Sequence, residues 1–135
     1  MKVQVFLLLL VLGVSMAQTP AELAAYKEKQ QACVKELKIS DAEAAQLTTD
    51  KEVPSPTAAG KCYYNCLYKQ LGLVGADDKP NNQAIMKYTQ ARFSKAPMDK
   101  IKAELAACAV GNAKFENKCE FMHGFEQCMS KALKA

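Results

Sequence analysis

Six cysteines, Cys33, Cys62, Cys66, Cys108, Cys119 and Cys128, constrain this 135-residue chain more than any other feature. Two of them lie four residues apart in the stretch Gly60-Lys61-Cys62-Tyr63-Tyr64-Asn65-Cys66-Leu67. On a helix such residues share one face and project side by side. A disulfide needs convergent side chains with Cβ atoms within about 4.5 Å, so Cys62 and Cys66 are not expected to join each other. Each instead reaches a different segment, which makes this helix a hub clamped to two neighbours.

The first residues set the compartment. Lys2, the apolar run from Val5 to Leu12 extending to Val14, and Ser15-Met16-Ala17 match the charged, apolar and small-residue regions of a secretory signal peptide. The run is shorter than the ~20 residues of a spanning helix. We therefore assign 1–17 to a cleaved signal and 18–135 to one helical domain, expected to be soluble and extracellular. In an oxidising compartment six cysteines imply three disulfides, each worth roughly 2–4 kcal/mol. That margin would let a small domain keep a hollow interior. The formal charge of +4 is small and evenly scattered. It gives no reason to expect nucleic acid or an anionic membrane as partner.

The rest reads as all-α. Period-two alternation and hairpin turn signals are absent, and the starts and stops divide the chain into about six helices. Thr19-Pro20-Ala21-Glu22 and Ser40-Asp41-Ala42-Glu43 are capping boxes. The first helix has an inner stripe of Leu23, Tyr26, Cys33 and Leu37, with Gln30 filling the missing turn. The hub is predicted over 57–71, closed by Gly72 as a left-handed cap and Leu73 behind it. Asp77-Asp78-Lys79-Pro80 signals a fourth helix with Ile85, Met86, Tyr88, Thr89 and Phe93 inward. A fifth runs from about Pro97 to Gly111 with Met98, Ile101, Leu105, Cys108 and Ala109 on one side. The last spans about Phe115 to Leu133. At 100° per residue its Cys119 and Cys128 point about 180° apart, rimming an apolar half that holds Phe121, Met122, Phe125 and Met129. They are not expected to bond each other either. Of the 15 possible pairings, excluding both local bonds leaves ten open.

The spacing Cys33-x28-Cys62-x3-Cys66-x41-Cys108-x10-Cys119-x8-Cys128 resembles the six-cysteine form of the insect odorant-binding proteins, the pheromone- and general-odorant-binding family. The x3 and x8 intervals are its most specific marks. The resemblance implies six helices around an apolar cavity that carries small hydrophobic molecules through aqueous fluid. It also implies three interlocked bridges, Cys33–Cys66, Cys62–Cys119 and Cys108–Cys128. Family members occur outside olfactory tissue, so an interaction protein on the same scaffold, acting in a glandular fluid without a small ligand, is the alternative function.

Apolar faces converging on the last helix nominate the ligand contacts: Met86, Tyr88, Phe93, Met98, Ile101, Leu105, Phe121, Met122 and Phe125. Methionine is flexible and polarisable, and aromatic rings give flat contact, so the set suits varied small ligands. Most would serve equally well as plain core. Tyr64, Tyr68 and Tyr88 are candidates to offer a hydroxyl to a ligand head, although a tyrosine more often keeps it at the surface. Lys118 lies within the apolar half, able to meet a ligand carboxylate or to snorkel outward. His123, the chain's one histidine, falls on the polar side as a surface residue. Cys62, Cys66, Cys119 and His123 have the spacing of a Cys3His zinc site, but an export signal and an even cysteine count favour oxidation. No catalytic constellation such as Gly-x-Ser-x-Gly is present, and no enzyme activity or cofactor is expected. A receptor or a second copy of the chain is left open as a partner.

Overall fold

Gly72 closes the hub as expected, with φ of 73°, a left-handed conformation that glycine adopts without a Cβ penalty. Leu73 behind it is buried. The computed structural model describes residues 20–49 and 56–133. Residues 1–17, read as a signal peptide, and Thr19 of the first capping box lie outside them. Seven helical segments follow in order: α1 Pro20–Leu37, α2 Asp41–Leu47, α3 Ala58–Lys61, α4 Tyr63–Gln70, α5 Asn82–Arg92, α6 Met98–Gly111 and α7 Lys118–Leu133. Since α3 and α4 are two parts of the hub, the fold has six helices. Among the described residues there is no strand, only a single antiparallel bridge between Val74 and Pro80. No helix among them is long and apolar enough to cross a membrane.

The hub was expected to be continuous over 57–71, and it is not. Lys61 N donates to Thr57 O and Cys66 N to Cys62 O, each at 3.0 Å, with ordinary helical spacing. Between them, Cys62 N donates to Ala59 O at 3.1 Å, so the ladder tightens by one residue at Cys62. Both sides of that point are fixed from outside. The Thr57 N–H and hydroxyl donate to the Glu43 carboxylate at 2.9 and 2.6 Å, while Thr57 Oγ1 caps Gly60 N at 3.0 Å. The Cys62 Cα is held 4.4 Å from that of Cys119. Glu43 was read as half of a capping box with Ser40. Ser40 does accept from Glu43 N at 3.3 Å, but the Glu43 side chain crosses to Thr57.

Three bridges link the helices into a frame. Cys33–Cys66 ties α1 to α4, Cys62–Cys119 ties the α3–α4 joint to α7, and Cys108–Cys128 ties α6 to α7. This is the pairing the family resemblance implied. It consumes all three cysteines of the zinc alternative, which is thereby overturned. α4 lies between α1 and α7 and buries Tyr63, Tyr64, Leu67 and Tyr68, as its apolar sweep requires.

Other departures occur where helices begin. The 77–80 stretch forms a loop instead of a helix start. Asp78 is left-handed (φ 65°), Gly75 N donates to Lys79 O at 2.9 Å and Asn81 N to Leu73 O at 2.7 Å. The backbone groups that a helix start would use are spent inside the loop, and Asn81 Oδ1 caps α5 through Ala84 N. Likewise α7 begins at Lys118 and not near Phe115, because Asn117 Oδ1 accepts from both Cys119 N and Glu120 N. Leu23 and Met98, assigned to inner stripes, are exposed (42 % and 39 %). Both lie in the outermost turns of their helices. Gln30 is buried, with its Nε2 donating to Thr48 O at 3.2 Å.

A Cβ at Gly60 would collide with Glu43 Oε2. Alanine ordinarily favours a helix over glycine by about 1 kcal/mol. We nevertheless expect Gly60→Ala to destabilise by about 1–2 kcal/mol, since the carboxylate must leave Thr57. Thermal unfolding checks this; a raised Tm would show that Glu43 gives way freely.

Candidate ligand cavity

Four helices and one loop enclose a cavity of about 420 Å³, within the usual range for small-molecule sites. α7 supplies Phe121, Met122 and Phe125, one turn of its apolar half. The two phenyl rings stack, with centres 6.2 Å apart and planes 14° from parallel. α6 faces them with Leu105 and the small Ala109, and α4 adds Asn65 and Tyr68. The loop after the hub contributes Val74, Asp78 and Pro80, and α5 contributes Asn82 and Ile85. Met122, Phe125 and Tyr68 are buried, whereas Pro80, Asn82 and Lys118 are exposed. The cavity is therefore apolar at its closed end and polar at its mouth.

Behind the apolar end lies a buried ionic cluster. Glu126 is 2 % exposed; it accepts from Tyr68 Oη at 2.5 Å and from Arg92 Nη1 at 2.6 Å. Burial, reinforced by the Glu126 charge, pushes the Tyr68 hydroxyl well above the usual phenol range. Its proton is thus committed to Glu126. The Arg92 guanidinium also lies over the rings of Tyr88 and Phe93, 5.4 and 4.9 Å from their centres. Tyr88 packs edge-on against Tyr68 and shares a 3.1 Å hydroxyl contact with Tyr26. Burial raises its pKa as well.

Of the nine residues nominated from sequence, Leu105, Phe121, Met122 and Phe125 meet at this cavity. Tyr88, Phe93 and Ile101 are buried in the core, Met86 is half-buried against it, and Met98 is exposed. None of these five is on the wall of this cavity. Of the tyrosines considered, Tyr68 is on the wall with its hydroxyl turned to Glu126, while Tyr64 is buried edge-to-face against Tyr63. Sequence reasoning missed Asn65, the 74–80 loop and the Arg92–Glu126 pair. The pair had a signal, because Arg92 is the only arginine in a chain with 17 lysines. Arginine is the cation best suited to a buried, planar ion pair.

At the mouth, Asp78 is paired with Lys69 at 3.1 Å and with Lys118. Hydrogen bonds from Lys118 and then Lys69 hold its carboxyl below the usual range. The Lys118 side chain reaches solvent, as the outward reading expected, and also borders the cavity. His123 departs from the surface position expected. It is half-buried, and its Nδ1 is shut off without a hydrogen bond. Burial, then the Lys61 charge, lowers its pKa against a smaller opposing effect of Glu43. The Cys62–Cys119 bridge one turn away brings α3 against that flank.

These features define a disulfide-framed helical shell around an apolar cavity. The sequence model of the PBP/GOBP family matches residues 15–132, and the chain belongs to that family. General odorant-binding protein 56a of Drosophila melanogaster is 26% identical over 102 residues, covering 76% of this chain and 68% of that protein. General odorant-binding protein 57e of the same organism is 28% identical over 96 residues, covering 71% and 67%. Among solved structures, the odorant-binding protein dmelOBP28a from Drosophila melanogaster superposes with a TM-score of 0.59 at 23% identity. That match covers 83% of this chain and 92% of the other, and it shows a shared fold.

Removing Arg92 would leave Glu126 buried and unpaired. Arg92→Met is expected to cost about 3–5 kcal/mol in urea unfolding, and Arg92→Met/Glu126→Gln, which keeps an acceptor for Tyr68 Oη, to recover most of it. A single-variant cost below about 1 kcal/mol would show that the pair is dispensable. For His123 the folded pKa lies below the unfolded value, so between them the unfolded chain holds more protons. Stability from this group is therefore lost as pH falls through about 6.5 toward the folded pKa. His123→Asn should flatten the stability curve as pH falls through about 6.5; an unchanged slope would remove His123 from the account.

Proposed function

We propose that this protein is a secreted carrier that binds small hydrophobic molecules reversibly and transports or sequesters them in extracellular fluid. The observation that carries the reading is the apolar cavity built on the Phe121, Met122 and Phe125 face of α7. Family membership supports it, as do the names of the relatives and the signal-peptide pattern of residues 1–17. The action is capture and release, with no bond made or broken. Apolar surface buried by a ligand contributes about 25 cal/mol per Å². Part of this is offset by lost freedom of motion, so micromolar dissociation constants, about −8 kcal/mol, are expected.

Displacement of the fluorescent probe N-phenyl-1-naphthylamine by alcohols, esters and acids of ten to eighteen carbons tests the reading. Failure of the probe and of the whole panel to bind would favour the interaction protein on the same scaffold. Phe121→Ala or Phe125→Ala should weaken binding by about 1–2 kcal/mol, roughly five- to thirtyfold. His123→Ala should weaken it less. The reverse ranking would count against a site on α7.

A further inference from the structure

The cavity has a charged mouth, and its charges do not balance. Asp78 gives one oxygen to each of two ammonium groups, Oδ1 to Lys69 from the end of α4 and Oδ2 to Lys118 at the start of α7. Two cations thus share one carboxylate. Each ammonium carries three donors, so both keep donors beyond their contact with Asp78. Of the other nearby acids, Glu126 is paired with Arg92, and Asp77 is turned toward its own loop, with Oδ1 accepting from Lys79 N at 3.1 Å. Lys118 also stands where a helix dipole disfavours a cation, in the first turn of α7. Its position is explained by Asp78 and by what lies beside it, since both residues border the cavity.

We propose that the ligand is an aliphatic carboxylate, its chain in the apolar cavity and its head on Lys118 at the mouth. This rests on the carrier reading and specifies the ligand class for the same site. A second carboxylate would complete an alternation of two cations and two anions. A neutral alcohol or ester head gains only an ordinary hydrogen bond there, about half as strong as a charge-assisted one. Lys69, Lys118 and Asp78 are 41 %, 54 % and 32 % exposed, so solvent and salt weaken the attraction and the preference is modest. Length follows from volume. At the ~30 Å³ that one water occupies in the liquid, 420 Å³ holds roughly 14 heavy atoms, the size of dodecanoic acid.

The test compares dodecanoate with dodecanol and methyl dodecanoate at pH 7.5, where the acid is ionised, by displacement of N-phenyl-1-naphthylamine from the full chain. Wild type should bind dodecanoate about fivefold more tightly than either neutral ligand in 50 mM salt. The ratio should fall toward one in 500 mM salt and in Lys118→Met. Lys35→Met, an exposed lysine on α1 outside the cavity wall, should leave the ratio unchanged. Equal affinities in wild type at low salt would overturn the proposal, as would a ratio that survives Lys118→Met. Because the neutral ligands and the probe report the cavity itself, these results leave the carrier reading standing. Loss of all binding would instead sink both.

Discussion

Everything in this structure hangs on the contact between the hub and α7, fixed where Cys62 and Cys119 bring their backbones to 4.4 Å. The hub is nearly all apolar and would bury itself somewhere in any case; the bridge decides against which helix, and at which turn. From that point the other two bridges extend the frame outward, to α1 on one side and α6 on the other. The loops they close span 33, 57 and 20 residues, and chain-entropy reasoning credits each with about 3–4 kcal/mol. A domain so stapled can leave 420 Å³ unfilled without collapsing, whereas an unbridged core would suffer from such a void.

Among the four helices that line the cavity, α5 is the exception. It carries no cysteine, yet it forms part of the cavity wall through Asn82 and Ile85. Its hold on the frame is polar and aromatic: Arg92 on Glu126, and Tyr88 against Tyr68 and Tyr26. A buried ion pair is a costly way to gain stability, but it accepts only one geometry. Here it fixes the end of α5 against the middle of α7. Tyr68 joins wall and cluster, since its ring faces the cavity while its hydroxyl serves Glu126.

What could be read from the sequence was what depends on local periodicity. The inward aim of Cys33 and Cys108, the Gly72 cap and the Phe- and Met-rich face of α7 all follow from counting residues along a helix. Geometry alone left ten pairings, and the family resemblance supplied the one found. The misreadings share a cause, in that distant partners redirect local signals. Glu43 left its capping box for Thr57, Asp78 was drawn into a left-handed loop with Lys69 and Lys118, and the hub tightened at Cys62 between two external anchors. Leu23 and Met98 show the complementary limit, because periodicity assigns a face but does not say whether a neighbour extends far enough to cover it. For Glu126 the sign was present, a carboxylate lying within the apolar arc of α7, with a lone arginine to match.

The division between a covalent frame and an unbridged wall also bears on how such a chain diverges. Changes at the bridged positions disturb α1, α4, α6 and α7 together. α5 and the loop before it touch the frame at few points, and substitution there alters the shape and polarity of the cavity while the frame stays as it was. One scaffold can therefore be refitted to new cargo by editing a single side of it, and descendants would keep their cysteine intervals long after they had ceased to share a ligand.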